Sequence, residues 1–377
     1  MRILSSDHNC TINHSYRFKS LDAIRGIAAL QVAVFHSGFS SILVPETAWL
    51  AVDLFFVLSG FVLAHRYFSI GNLDVREFIT HRIARLYPLH ILTFILLYSA
   101  YSYVGMRAVP DGTAFTVIQN VFLLNSVGFN PSGSAWNLPA WSISVEFWIN
   151  ILFVIFLINA KNLTNFIIST FLYVLILRHS GTLGTSVDNY LGFLNSGLVR
   201  GMSSFLLGIV IYEVFQKLPK PTFLLASVIE ISVLLTTIMM FGLVDISTVK
   251  FGTFLFIPLF ALIIISFAFD NGIVSFFIRK LRINYLGDIS YSVYLLHTPI
   301  LIIGPTLISI LGISVSPSYQ LSVYLFTLLL NSAIVYHLVE RPSSKYLRKK
   351  LENEHFMYTS LVAMLGVSLL LSIGTLI

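Results

Sequence analysis

The chain has 377 residues, 56% of them hydrophobic and 11% charged, with a mean hydropathy of +0.85. That is too apolar for a soluble protein with a solvated surface, and it defines an integral membrane protein. The net charge of +6 gives no reason to expect nucleic acid, because membrane proteins gather Lys and Arg in cytoplasmic loops, and the lone Cys10 excludes an intramolecular disulfide or a paired-cysteine metal site.

Residues 1–19 read as a short polar tail. They lack the apolar run and small-residue cleavage site of a removable signal peptide. The apolar runs that follow are long enough for helices crossing a core of about 30 Å and lack the alternation of a membrane β-barrel. The expected fold is therefore all-α, a polytopic transmembrane bundle. Spans are predicted near 20–41, 47–66, 86–105, 137–159, 163–178, 197–216, 221–243, 251–270, 287–312, 320–339 and 357–377. Between the third and fourth, the half-span run 114–124 is expected to lie along the interface or re-enter. With the N-terminus cytoplasmic, only Arg107, Arg178, Arg200 and Lys250 of the 23 basic residues fall on the outer face, and Arg25 falls inside the first span. That asymmetry fixes the orientation. No internal repeat or soluble domain is visible.

Arg25 and His36 are eleven positions apart in the first span. At 100° per residue they share a face, and at 1.5 Å per residue they stand about 16 Å apart along the axis. A lone arginine there snorkels to headgroups and a lone histidine packs between helices. A same-face pair across half the membrane points instead to a site. Asp53 enters the second span at a depth close to that of His36. Glu146, in 136-WNLPAWSISVEFW-148, falls near mid-bilayer below Ser142 and Ser144, and must be paired, protonated or hydrated. A cavity between spans one, two and four accounts for all four residues, with an Arg25–Glu146 ion pair as the structural alternative. His297, in 286-LGDISYSVYLLHTPI-300, lies near the same level with Tyr291 and Tyr294 below it. In the loop expected before the third span, 81-HRIARLYPLHI-91, Arg82 and Arg85 lie on one helical face. Two guanidinium forks there suit a diphosphate or phosphomonoester, the alternative being ordinary cytoplasmic charge.

Seven stretches, LDAIRGIAALQVAVFH, VDLFFVLSGFVL, HRIARLYPLH, AWSISVEFW, LVRGMSSFLLG, LGDISYSVYLLHTPI and YHLVERPSSKYLRK, resemble acyltransferase family 3 in that family's order over about residues 18–350. The resemblance implies a ten-span acyltransferase domain over residues 20–350 between the tail 1–19 and an added span in 351–377. That added span resembles the one that in some members leads to an extracellular hydrolase-like domain. The resemblance also implies an acyl-coenzyme A donor, an acetyl group foremost, a surface or lipid-linked carbohydrate acceptor, and the cell inner membrane as location, with no metal. On that reading Arg82 and Arg85, with Tyr87, bind the phosphates of coenzyme A. His36 takes the proton of the acceptor hydroxyl, oriented by Asp53 or Glu146. Arg25 stabilises charge on the thioester carbonyl or holds the pantetheine arm, and Trp141, Ser144 and His297 line the acceptor site. Direct transfer and an acyl-His36 intermediate both fit. The competing classes are an ion-coupled transporter or flippase and a non-catalytic scaffold, the first weakened by the absence of repeated broken helices.

Overall fold

The computed structural model describes residues 17–38, 45–68, 74–104, 114–128, 135–158, 160–186, 188–190, 194–243, 250–312 and 315–351. The expected tail and eleventh span lie almost wholly outside these residues. Helix α1 is Lys19–His36; a 3-10 turn, Glu46–Leu50, runs into α2, Ala51–Tyr67; α3 is Val75–Val104. The short α4, Ala114–Val121, precedes α5, Ala140–Leu152, which a π turn extends to Leu157, and α6 is Asn162–His179. A two-residue antiparallel ladder pairing Tyr190 with Leu194 leads to α7, Ser196–Phe215. The chain continues through α8, Phe223–Leu243, α9, Phe256–Ala268, and two short helices, α10, Ile273–Lys280, and α11, Tyr285–Asp288. Then come α12, Ser290–Ile310, α13, Pro317–Val335, and, after a π turn, α14, Arg341–Leu351.

Among the described residues, eight helices are long and apolar enough to cross a membrane. Two further predicted spans form 18-residue helices that miss this standard for visible reasons. Lys19, Asp22 and Arg25 charge α1, and Asn162, Asn165, Arg178 and His179 make the ends of α6 polar. The third span departs from expectation at its start. Residues 81–85 are not in a loop, because α3 begins at Val75 and runs through Pro88, whose missing N–H costs one ladder bond and not the helix. The run 114–124 packs into the bundle. Thr116, Gln119, Asn120 and Leu123 are buried, and His90 Nε2 lies 2.7 Å from the Asn120 carbonyl, tying the segment into the bundle.

Backbones meet closely at two crossings. A Cβ on Gly60 of α2 would strike the Phe205 carbonyl of α7, and one on Gly208 would strike the Val57 carbonyl of α2. Only glycine lets these two helices touch, the small-residue packing by which membrane helices gain van der Waals contact in lipid. Likewise Gly26 of α1 lies against Leu286, and Gly287 lies against the Asp22 carbonyl. Local signals fix the ends. Asn195 caps α7 by accepting from Gly197 N at 2.9 Å and Leu198 N at 3.3 Å, and Pro317 opens α13, where its missing N–H is harmless. Glu230 of α8 is fully buried yet solvated by the protein, accepting from Gly272 N, Val274 N and Ser275 N at 2.9–3.0 Å at the positive end of α10.

Candidate active site

The interior polar residues fall into two groups along α1, one around a cavity at His36 and one around Arg25. The cavity, about 490 Å³, is lined by Val32 and His36 of α1, Trp49, Val52, Trp141, Arg200 and Tyr294, together with Thr182, Gly184 and Ser186. His36 is the last residue of α1 and meets His297 of α12. His36 Nδ1 and His297 Nε2 are 3.2 Å apart, and the ring planes differ by 12°. The centroids are 5.1 Å apart, farther than the nitrogens, so the rings meet nitrogen to nitrogen.

The protons follow from the partners. His297 Nδ1 lies 2.6 Å from the Tyr294 carbonyl, which only accepts, so that nitrogen carries the hydrogen of a neutral ring. Nε2 of His297 is then the acceptor, and His36 donates to it from Nδ1. The lone pair of His36 therefore resides on Nε2, in the residue that lines the cavity. The second histidine occupies the place of the third member of a hydrolytic triad, holding tautomer and orientation without a charge. No carboxylate touches His36 among the described residues.

Asp53 does not orient His36. Its two oxygens take a bidentate pair from Arg200, Nε at 2.8 Å and Nη2 at 2.5 Å, with side-chain exposures of 1% and 3%. Arg200, placed on the outer face by sequence, sits inside α7, with its guanidinium 5.1 Å from the Trp49 ring and 5.4 Å from the Trp141 ring. Sequence reading missed both Arg200 and Trp49. A buried acid on α2 demands a buried base, and that demand was the available signal. Tyr294 was also overlooked as a cavity residue. Ser142 Oγ donates to the Pro139 carbonyl at 3.0 Å, so the Tyr294 hydroxyl, 2.7 Å away, donates to Ser142. Trp141 lines the cavity as expected. Ser144 does not: it is fully buried, and its hydroxyl donates to the Leu123 carbonyl at 2.6 Å, which Trp148 Nε1 also approaches at 2.8 Å.

The second group begins at Arg25. Its Nη2 donates to the Gly287 carbonyl at 2.7 Å and pairs with Asp22 at 3.1 Å, while Nε donates to Ser290 Oγ at 3.1 Å. Arg25 makes no ion pair with Glu146. The half-buried Glu146 lies within electrostatic reach of Arg25 and Arg82 but touches neither, and it stands five residues, about 7–8 Å, below Trp141 on α5. Neither of the two carboxylates expected at His36 is there. Arg82 is 8% exposed and lies over the Phe78 ring at 5.5 Å; Arg85 is half-buried one turn on. Tyr87 packs its ring edge-on against Phe147, beside Glu146.

The bundle and its histidine pair define a polytopic membrane protein with a half-buried imidazole at an interior polar cavity. The family model described as an acyltransferase domain matches residues 18–337, and the chain belongs to acyltransferase family 3, enzymes that transfer acyl groups. It is 26% identical to O-acetyltransferase OatA of Staphylococcus aureus over 360 residues, covering 86% of this chain and 57% of that protein. It is 34% identical over 151 residues to Protein 2 in picA locus of Rhizobium radiobacter, covering 36% of this chain and 79% of that one. To Acyltransferase MdmB of Streptomyces mycarofaciens it is 32% identical over 145 residues, 35% of this chain and 37% of that one. It thus spans little more than half of OatA and well under half of MdmB. No solved structure matches.

Proposed function

We propose that the protein is a membrane O-acyltransferase that moves an acyl group from cytoplasmic acyl-coenzyme A to a hydroxyl of a surface or lipid-linked carbohydrate. An acetyl group is the first choice, by similarity to the O-acetyltransferase above. The observation that carries this reading is the His36–His297 pair, which leaves an unprotonated imidazole nitrogen at a cavity walled by two tryptophans. Indole faces flanking a few polar groups suit a ring with apolar faces and hydroxyl edges.

In the reaction, His36 Nε2 accepts the proton of the acceptor hydroxyl as that oxygen attacks the thioester carbonyl. The carbon–sulfur bond breaks, and the departing thiolate takes the proton from the imidazolium. The products are the carbohydrate ester and free coenzyme A. His297 holds Nδ1 throughout. Arg25, about 16 Å down the same helix, is too far to stabilise the carbonyl oxygen at His36. Of its two expected roles, holding the pantetheine arm fits. Arg82 and Arg85, beyond it, receive the phosphates. The Asp53–Arg200 pair is electrically neutral and stiffens the wall that carries both indoles.

The test is mass spectrometry of extracted surface glycans and glycolipids from intact, deleted and His36→Ala strains with equal membrane abundance. The expected result is one acyl mass, removable by mild base, in the intact strain only. Restoration of that mass by His36→Ala would reduce His36 to a packing residue.

A further inference from the structure

Beyond Arg25, at the end of the bundle opposite His36, basic groups from three helices converge. Arg66 and Tyr67 end α2, His81, Arg82 and Arg85 lie along the first half of α3, and Arg348 projects from α14, which packs on α3. Arg82 acts electrostatically on Arg85 and Arg66, and Arg348 on Arg66, Arg85 and His81. Arginine does not shed its proton in proteins, so this repulsion is permanent. The nearby acids offset it only in part, since Glu146 acts on Arg82 and Glu340 on Arg85 without an ion pair to either. Glu77 is 63% exposed and reaches His81 at 3.8 Å, Glu340 receives the Ser292 hydroxyl at 2.6 Å, and among the described residues no carboxylate acts on Arg348. Three donors in the cluster, Arg82 Nε, Arg348 Nε and the Tyr67 hydroxyl, are buried without a hydrogen-bond partner. Buried N–H and O–H groups left unmade are costly, and cytoplasmic positive charge alone gives no reason to bury them. Exposed Lys345, Lys349 and Lys350 on the same helix already serve that purpose.

We infer that α14 completes a site for a molecule carrying two separate phosphate groups, and, resting on the donor assigned above, that this molecule is coenzyme A. The linear order of coenzyme A assigns the contacts. Its diphosphate adjoins the pantetheine arm and so falls to the deeper Arg82 and Arg85. Its 3′-phosphate lies farther from the thiol and falls to Arg348, with Arg66 and the Tyr67 hydroxyl, nearer the surface. Arg348 is thereby a specificity residue for the 3′-phosphate, in a stretch outside the Arg82–Arg85 pair. A phosphomonoester lipid headgroup shares this chemistry and is the rival source.

The experiment compares coenzyme A with 3′-dephospho-coenzyme A as ligands for the full chain, purified in nanodiscs of neutral lipid. Wild type is expected to prefer coenzyme A at least tenfold. Arg348→Gln is expected to bind both equally, with affinity for the dephospho form unchanged, and Arg348→Lys to recover part of the preference. Lys349→Gln, on the exposed face, should behave as wild type. Discrimination by Arg348→Gln as strong as wild type's overturns the inference while leaving the donor intact. Failure of wild type to bind either ligand overturns the donor reading itself, and this one with it. A third arm replaces neutral lipid with phosphatidic acid. Retention of that lipid through Arg348, without coenzyme A discrimination, assigns the site to headgroups and also overturns the inference. Melting curves of each variant confirm folding, and a variant that does not fold is replaced by Arg66→Gln, for which the same loss of discrimination is expected.

Discussion

His297 turns an ordinary imidazole into a directed base. It accepts from His36 Nδ1 because its own Nδ1 is engaged by the Tyr294 carbonyl at 2.6 Å. Removal of the acceptor should therefore misplace the tautomer without removing the base. His36→Gln is expected to lower kcat by roughly 10²–10⁴-fold, the span of general-base contributions. His297→Ala should fall within that range, while His297→Gln, whose amide oxygen still accepts from Nδ1, should recover part of the loss. Equal rates for the alanine and glutamine variants would exclude the orienting role. For both enzymes with His36 intact, the rate should rise with pH through the imidazole range, since only the neutral ring accepts a proton. Asp53 belongs to a different class of residue. Asp53→Ala leaves Arg200 charged and buried and is expected to cost about 3–5 kcal/mol of stability. Thermal unfolding in detergent would measure it, and an unchanged melting temperature would contradict the burial described here.

At the level of elements, contact between glycines decides which helices neighbour each other. Gly60 and Gly208 bring α2 and α7 to backbone contact, and that crossing holds Asp53 opposite Arg200 and Trp49 beside the cavity. Gly208→Ala introduces a methyl where the Val57 carbonyl stands and is expected to destabilise by about 1–3 kcal/mol, with reduced folded yield on size-exclusion chromatography. Gly242, with nothing near its Cβ position, should tolerate alanine at no cost. A similar loss at both positions would mean that close packing at α2–α7 is not what stabilises the pair. The Gly26–Leu286 and Gly287–Asp22 contacts play the same part for α1, placing Arg25 on the start of α12 and, eleven residues on, His36 beside His297.

Across the whole molecule, the tryptophan-walled cavity and the arginine cluster lie at opposite ends of the bundle. That separation suits a donor and an acceptor held on different sides of a membrane. In a variant with Cys10→Ser, single cysteines at Thr182 and Lys349 are expected to react with impermeant thiol reagents from opposite faces, Lys349→Cys from the cytoplasm. Labelling of both from one face would refute the transmembrane arrangement.

The sequence by itself determined the membrane, the helices and the family. Long apolar runs leave no other way to satisfy the backbone in lipid, and the Arg25–His36 register follows from helical periodicity within one segment. Seven ordered stretches supplied the family. The start of α3 escaped it, because Pro88 and the charges before it read as a loop boundary although the helix absorbs both. The partners of the buried polar groups were decided only by tertiary structure. His36 found His297, 261 residues on, and Asp53 found Arg200, 147 residues on. Periodicity gives the face and depth of a side chain within its own helix and carries no information on the helix opposite. That choice lies in where backbones approach most closely, at Gly26 against Leu286 and Gly60 against Gly208.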